Sequence, residues 1–358
     1  MENAVSTKPY VTDHFFVFYD AGETNALIPV LKKFDTEGMN FKVLVMGTAE
    51  TIVKPEMFLE QRLVLRDFNI ITIVDHTNWQ REQKLDLQDV LKICNQITAR
   101  TITIGTASRV QRQVLKHFNG IRIAFCDNFD YDVSNESYRT VKKTQEKAQI
   151  VLCPSENLVR LLTESSVFDK TRKYKIAGKP SLDQWAKELE NVNKSAILEK
   201  LKFDSTQGPV VTFVGGYGQG YEIINPFFNE AAAFLRENGY QVLIQPHPKV
   251  APQAVKTTEA LAISEYVIGF NSSVVYDAAV VGKKGIYFYP ESLTFDHFAI
   301  REGYLPKVHS NIQLFEVIKA SRTQSAIDLY EAEKIPHNST ERIAKILNKK
   351  PEEYIENI

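Results

Sequence analysis

Cysteine is scarce in this sequence, and the three residues present are scattered. Cys94, Cys126 and Cys153 form no CxxC pair and lie near no histidine-rich segment. A disulfide framework or a structural metal site needs thiols at fixed spacings, so neither is expected. We predict that the three cysteines are reduced core residues of a cytoplasmic protein, with no metal and no cofactor.

A block of one charge and a long apolar run are also missing. The formal net charge is −1, from 43 Lys and Arg against 44 Asp and Glu, and no basic block stands out. Bulk electrostatics therefore predict no nucleic-acid partner. The first residues lack the basic-then-apolar order of a signal peptide, and no stretch reaches the roughly 20 apolar residues that cross a bilayer. We expect no transmembrane segment, and nothing in the sequence predicts an oligomeric state.

Short apolar runs alternate with amphipathic segments through most of the 358 residues. Such continuous apolar strands, separated by helices, are typical of parallel sheets that are covered on both faces. The predicted fold class is α/β, with two Rossmann-like doubly wound domains that face a central cleft. The predicted strands include HFFVFYD, TITIGTA, IRIAFCD, PVVTFVGG, YQVLIQPHP and EYVIGF, and LDLQDVLKICNQITAR is predicted as one helix.

A polar segment rich in Lys and Glu interrupts this alternation and marks the predicted domain boundary. We predict an N-terminal Rossmann-like domain over 1–180 and a linker helix over 181–206. A C-terminal Rossmann-like domain follows over 207–334. The remaining residues, 335–358, are predicted to form a helix that packs back towards the first domain.

One histidine stands between two prolines where a predicted strand ends, in LIQPHPKV. Pro246 and Pro248 restrict the backbone around His247 and remove two N–H donors. Ligands of doubly wound sheets bind beyond the carboxyl ends of the strands, which is the predicted position of His247. We predict that His247 binds a ligand, with a capping or surface role as the alternative.

The segment GFNSSVVYDAAVVG has the pattern of a strand end followed by a helix start. Asn271 or Ser272 is predicted to cap this helix, and Ser273 adds a second hydroxyl. A helix N-terminus offers unpaired N–H groups and the positive end of the helix dipole. The pattern therefore predicts a phosphate or carboxylate site, with an ordinary N-cap as the alternative.

A glycine-rich loop, FVGGYGQGYE, opens the same predicted domain. Gly215, Gly216 and Gly218 allow the chain to approach a ligand closely. The loop matches neither GxGxxG nor GxxxxGK[ST], so a dinucleotide or Walker-type site is not favoured. Because the loop lies in the same predicted domain as His247 and Ser272, it fits a nucleotide phosphate pocket.

Two segments resemble the hydrolysing UDP-N-acetylglucosamine 2-epimerases of the two-domain GT-B superfamily. ESYRTVKKTQEKAQIVLCPSENLVRLLTES and YKIAGKPSLDQW are similar to the part that closes their first domain, with Gly178-Lys179-Pro180 as the linker. The chain departs from the epimerases at Gly105-Thr106, where they carry an acidic residue after the glycine. AFCDNFD and VGGYGQGYE also replace two of their motifs, which contain His and Glu.

PHP and NSSVVYDAAVVGKKGIYFYP are similar instead to the capsule, sialic-acid and teichoic-acid transferases. This resemblance implies that His247, Pro248, Ser272 and Ser273 hold the phosphate of a nucleotide-sugar donor. The expected function is a metal-independent glycosyltransferase with a UDP-, CMP- or GDP-linked donor and a glycan or other hydroxyl acceptor. A UDP-sugar 2-epimerase or hydrolase and a catalytically inactive nucleotide-sugar-binding module remain alternatives.

Inverting transfer to a hydroxyl also needs a general base, which we expect on the acceptor side, in the first domain. Asp20 in FYDAGETN is the leading candidate, followed by Glu23 and then Asp127 and Asp130. Lys249 or Arg301 is expected to add charge at the donor phosphate, and Glu291 or His297 to bind a donor ribose or sugar hydroxyl. His76 is a weaker candidate after a strand, and Trp79 and Trp185 are expected to be packing residues.

Overall fold

The protein is described here by a computed structural model. It covers residues 9–54, 56–63, 70–75, 80–106, 108–130, 136–164, 173–216, 220–247, 250–295 and 297–355. The chain forms two compact units, the first of Met1–Asp183 with Lys334–Ile358 and the second of Gln184–Glu333. None of the helices in these ranges is long and apolar enough to cross a membrane.

The strands are β1 (Tyr10–Phe18), β2 (Phe41–Val45), β3 (Ile70–Asp75), β4 (Gln80–Leu85), β5 (Ile97–Gly105), β6 (Ile121–Phe125), β7 (Ile150–Cys153), β8 (Lys173–Ile176), β9 (Val210–Val214), β10 (Gln241–Gln245), β11 (Ser264–Gly269), β12 (Lys284–Phe288) and β13 (Lys307–Val308). The helices are α1 (Ala21–Thr36), α2 (Leu87–Gln96), α3 (Arg109–His117), α4 (Glu136–Gln145), α5 (Glu156–Glu164), α6 (Pro180–Asn191), α7 (Lys194–Leu201), α8 (Tyr221–Glu237), α9 (Thr257–Ile263), α10 (Ser273–Val280), α11 (Phe298–Arg301), α12 (Asn311–Ser321), α13 (Leu329–Ala332), α14 (Ser339–Leu347) and α15 (Pro351–Ile355), with a 3-10 helix at Gly47–Thr51.

Each unit is built on one parallel sheet with helical connections between its strands. The first unit has a 6-stranded sheet in the order β2-β1-β5-β6-β7-β8, and the second a 5-stranded sheet in the order β10-β9-β11-β12-β13. A separate antiparallel pair, β3 and β4, was not predicted. The predicted α/β class with two doubly wound domains is confirmed.

The sheet of the first unit is buried on both faces, which explains its uninterrupted apolar strands. Phe15 and Val17 of β1 face one core cluster, whereas Phe16 and Phe18 face another. Successive side chains of a strand point to opposite faces, so a sheet covered on both sides needs apolar residues at every position.

The predicted helix over LDLQDVLKICNQITAR ends earlier than expected. Helix α2 stops at Gln96, and Ile97 already belongs to β5, where it pairs with Tyr10 of β1. Ile97, Thr98 and Thr101 are β-branched and favour a strand. Pairing with β1 therefore makes residues from Ile97 onward a strand, although their apolar periodicity predicts a continued helix.

Helix α14 completes the core of the first unit from the far end of the chain. Ile343, Ala344 and Leu347 lie in the same cluster as Phe16 and Phe34. They cover one face of the sheet that begins at residue 10.

Polar contacts fix both ends of α14. At its start, the Thr340 backbone N–H donates to the Asp183 carboxylate at 3.0 Å. At its end, the Asn348 side-chain amide lies 3.0 Å from Nε2 of the buried His14, whose Nδ1 is 2.9 Å from Thr101 Oγ1.

Candidate functional site

Three loops of the second unit meet at the carboxyl edge of its sheet. Val214, the last residue of β9, pairs with Gln245 of β10 on one side and with Gly269 of β11 on the other. Because neighbouring strands lie about 4.8 Å apart, the two flanking strands end about 10 Å apart. The strand order reverses at β9, and doubly wound sheets bind ligands at such a reversal. His247 follows β10 by two residues, and Ser272 follows β11 by three.

Gly215 joins the first of these loops to the backbone at His247. Its N–H donates to the Gln245 carbonyl at 2.8 Å. A Cβ at Gly215 would lie 3.3 Å from the Gln245 oxygen and 3.4 Å from the His247 nitrogen, so a larger residue would push the loops apart. The His247 carbonyl accepts from the Val250 N–H at 2.8 Å.

Tyr221 connects the glycine-rich loop to the start of α10. Its hydroxyl donates to Asn271 Oδ1 at 2.8 Å, and its ring packs edge-on against Phe270 at 5.9 Å. A Cβ at Gly216 would lie 2.1 Å from Tyr221 Cζ, so only glycine fits there. Burial raises the pKa of Tyr221 to about 12, which keeps its hydroxyl protonated as a donor. Sequence reasoning missed Tyr221, whose only signal is its place directly after the last glycine of the loop.

Ser272, rather than Asn271, caps helix α10. Its Oγ accepts from the Val274 N–H at 3.3 Å, and its hydroxyl proton remains available for donation. Ser273, the first helical residue, is exposed. Gly269 allows this helix to pack close to β11, since a Cβ at position 269 would lie only 2.6 Å from Val275 Cγ2. The hydroxyls and the N–H groups of this first turn thus lie at the same sheet edge as Gly216 and His247.

The other predicted residues of the second unit lie further along this edge. Glu291 is exposed in the loop after β12. His297 caps α11 by accepting from the Ala299 N–H at 3.1 Å, and its ring packs 4.8 Å from Phe298, so it has a capping and packing role. Arg301 is exposed in the last turn of α11. Outside the described residues lie Gly218, Pro248, Lys249, His76 and Trp79.

In the first unit, three predicted carboxylates come together at the carboxyl edge of its sheet. Asp20 is the N-cap of α1, Glu23 lies in the first turn of that helix, and Asp127 follows β6. A Cβ at Gly22 would lie 2.8 Å from Asp127 Oδ2, which places this carboxylate against the start of α1. The strand order reverses between β1 and β5, so this cluster also occupies a topological switch point.

Glu23 is the buried member of this cluster, with 1% of the residue exposed. Its Oε1 accepts from the backbone N–H groups of Tyr19, at 3.0 Å, and Asp20, at 3.3 Å, and from the Gln111 side-chain amide. Its Oε2 has no hydrogen-bond partner among the described residues. That oxygen lies against Gly105, where a Cβ would be only 1.3 Å away.

Burial, and then the negative charge of Asp20, raises the pKa of Glu23 well above its ordinary value. The protonated form would carry its proton on Oε2, since Oε1 already accepts from three donors. Glu23 is a buried carboxyl group that holds the β1–α1 connection in place, and burial favours its neutral form. Asp20 and Asp127 are half-buried, and they are the carboxylates of this cluster that solvent reaches.

The part of the chain that the structure describes contains no group of three His, Cys, Asp or Glu side chains arranged to hold a metal ion. Its three cysteines are free thiols, of which Cys126 and Cys153 are buried.

Comparison with known proteins yields matches in structure alone. No protein-family model matches the sequence, and no curated protein matches it. A UDP-GlcNAc 2-epimerase from Neisseria meningitidis, solved with UDP-GlcNAc bound, is 15% identical with a TM-score of 0.61, over 96% of this chain and 99% of that one. A Listeria monocytogenes protein assigned as a UDP-N-acetylglucosamine 2-epimerase is 12% identical, with a TM-score of 0.64 over 94% and 95% of the two chains. The wall teichoic acid polymerase TagF, solved with CDPG, is 12% identical, with a TM-score of 0.59 over 96% and 90%.

These similarities show the fold. The chain has the GT-B-like architecture of two Rossmann-like α/β domains. The predicted resemblance to both the epimerases and a teichoic-acid enzyme is confirmed at this level.

Proposed function

We propose that the protein is a glycosyltransferase that uses a nucleotide-activated sugar and needs no resident metal ion. The observation that supports this proposal is the meeting of three loops at the switch point of the second sheet. Gly215 and Gly216 allow close approach there, His247 follows one flanking strand, and Ser272 begins a helix after the other.

The donor phosphate is assigned to this edge of the second unit. When the glycosidic bond to phosphate breaks, negative charge grows on the departing nucleoside phosphate. Ser272 and Ser273 offer hydroxyl donors, the first turn of α10 offers N–H groups, and His247 offers an imidazole donor or a positive charge. Tyr221 holds the glycine loop and Asn271 together through its 2.8 Å hydrogen bond, so it is a positioning residue.

The acceptor is assigned to the carboxylate cluster of the first unit. In inverting transfer, a carboxylate of Asp20 or Asp127 takes the proton of the acceptor hydroxyl as its oxygen bonds to the sugar carbon. The electrons of the broken bond leave with the nucleoside phosphate. Glu23 is buried and accepts from the Asp20 backbone N–H, and its role is to hold Asp20 in position.

Epimerisation is the second candidate, because UDP-GlcNAc 2-epimerases are among the structural neighbours. Against it stands the end of β5. The epimerases resembled by the sequence have an acidic residue after the strand-end glycine, whereas this chain has Thr106, which is 1% exposed. We therefore place transfer first.

Incubation with UDP-, GDP- and CMP-sugars, with and without hydroxyl acceptors and with and without EDTA, separates the candidates. Release of nucleotide that requires an acceptor supports transfer, and EDTA is expected not to reduce it. A changed sugar without an acceptor identifies an epimerase, and free sugar identifies a hydrolase. Protection against melting without any product identifies a binding module.

A matched pair of N-cap variants tests the donor site. Ser272 and Ser310 both cap helices, and each Oγ accepts a backbone N–H, at 3.3 Å and 3.2 Å respectively. Replacing either by alanine is expected to cost about 1 kcal/mol of stability. Only Ser272→Ala is expected to weaken donor binding as well, and equal donor affinity in the two variants would exclude Ser272 from the site.

A further inference from the structure

Two adjoining cavities lie at the amino edge of the second unit's sheet, away from His247 and Ser272. Their volumes are about 550 Å³ and about 420 Å³. They are bordered by the starts of β11 and β12 and share five lining residues, namely Lys283, Lys284, Gln324, Ser325 and Ala326. Strands of five residues separate this edge from the carboxyl edge by about 15 Å.

The two cavities differ in chemistry. The larger one, here called the tail cavity, is mainly apolar, with Ile286, Leu305, Val317 and Leu329 in its wall. The smaller one, here called the head cavity, is bordered by Lys194, Ser264 and Glu265. Lys283 borders both.

Lys283 has donors left over at this junction. Its Nζ donates to the Ser264 carbonyl at 3.0 Å, which is its one hydrogen-bond acceptor among the described residues. An ammonium group has three N–H donors, so two have no acceptor among the described residues. Lys284 is different, because its Nζ contacts Glu265 at 2.9 Å and the Ser321 carbonyl at 2.8 Å.

The charge at the junction is also only partly balanced. Burial and the nearby positive charge of Lys194 lower the pKa of Lys283 to about 8, and Glu265 opposes this effect. Glu265 is already the ion-pair partner of Lys284. An anion placed between Lys283 and Lys194 would accept from the other Lys283 donors and offset the repulsion between the two lysines.

We propose that the two cavities form one binding site for an amphipathic anion. A carboxylate or phosphate head binds Lys283 and Lys194 in the head cavity, and a hydrocarbon body fills the tail cavity. The site is separate from the donor edge, so a test of this binding does not depend on the proposed transferase activity.

Calorimetric titration of the full chain with decanoate and with decyl phosphate, below their micelle concentrations, tests this site. Acetate and inorganic phosphate serve as head-only probes, and decanol as a tail-only probe. Both amphiphiles are expected to bind at least about tenfold more tightly than any single part. The ratio of the two affinities distinguishes a carboxylate source from a phosphate source. Decanol binding as tightly as decanoate would overturn the proposal.

Three variants locate the binding. Lys283→Met keeps the length of the side chain and removes its donors, and it is expected to weaken decanoate binding by about tenfold or more. Ala320→Trp, at an exposed position that lines the tail cavity, is expected to abolish binding through steric filling. Lys319→Met, an exposed lysine of α12 that does not line either cavity, serves as the matched control.

The pH dependence gives a second readout. Lys283, which faces Lys194, Lys284 and Glu265, loses its proton as pH rises through about 8. Decanoate affinity is therefore expected to fall between pH 7 and 9 in the wild type and to stay constant in Lys283→Met. Undiminished binding in both Lys283→Met and Ala320→Trp would refute the site.

Discussion

Replacing Glu23 by glutamine is expected to remove a pH dependence that this carboxyl imposes on the stability of the first unit. The native pKa of Glu23 is raised, so the folded chain holds this proton more tightly than the unfolded chain. The contribution of Glu23 to the free energy of unfolding is then fully present below the unfolded-state pKa, and it is lost as pH rises towards the folded-state pKa. Between these two pKa values the slope approaches about 1.4 kcal/mol per pH unit.

Glutamine preserves the geometry that makes this comparison possible. Its amide oxygen can accept the three N–H groups that Glu23 Oε1 accepts now, and its NH₂ group replaces the protonated Oε2 beside Gly105. The variant is therefore a permanent mimic of the neutral acid. At pH 5 its stability should be close to that of the wild type, and at pH 7 it should be higher.

Urea unfolding of the wild type and Glu23→Gln at pH 5.0, 6.0 and 7.0 measures the effect. Asp35→Asn removes an exposed carboxylate from the same helix and controls for the change in net charge. If the difference between Glu23→Gln and the wild type stays constant over this range, the pKa of Glu23 is not raised by folding, and the reasoning from its burial fails.

Three further perturbations address other contacts. Tyr221→Phe removes the 2.8 Å hydrogen bond to Asn271 and is expected to lower nucleotide-sugar affinity about tenfold with the fold intact, as titration calorimetry would show; unchanged affinity would contradict its positioning role. Gly216→Ala places a Cβ 2.1 Å from the Tyr221 ring and is expected to lower both the melting temperature and the donor affinity, so a fully active variant would count against this packing. Burial lowers the pKa of His14 from 6.5 to about 4, so the folded chain binds this proton more weakly than the unfolded chain. The free energy of unfolding is therefore expected to fall by up to roughly 3 kcal/mol as pH drops from 6.5 towards 4. His14→Gln should reduce this loss of stability in acid, and an unchanged loss would contradict the role of His14.

Most strands of the two parallel sheets were predictable, because burial on both faces requires continuous apolar runs, whereas the separate pair β3 and β4 was not predicted. Positions at strand ends followed from the same pattern, and His247 and Ser272 do lie just beyond β10 and β11. The end of α2 was not predictable, because Ile97 satisfies both the helical pattern and the strand that pairs with β1.

The contacts that shape the candidate sites depend on residues far apart in the chain. Tyr221 meets Asn271 across 50 positions, and Glu23 is bound by Gln111 across 88. A single sequence shows each of these residues as an ordinary polar side chain. The packing of Glu23 against Gly105 shows that one of the predicted bases is buried, and this burial raises its pKa.

The placement of α14 has a consequence for how the chain is made. The ribosome completes all of Gln184–Glu333 before this helix emerges, and until then Phe16 and Phe34 lack part of their cover. The first unit therefore cannot complete its core until the second unit has been synthesised. A chain cut short at Glu333 should for that reason precipitate, although every strand of both sheets is present.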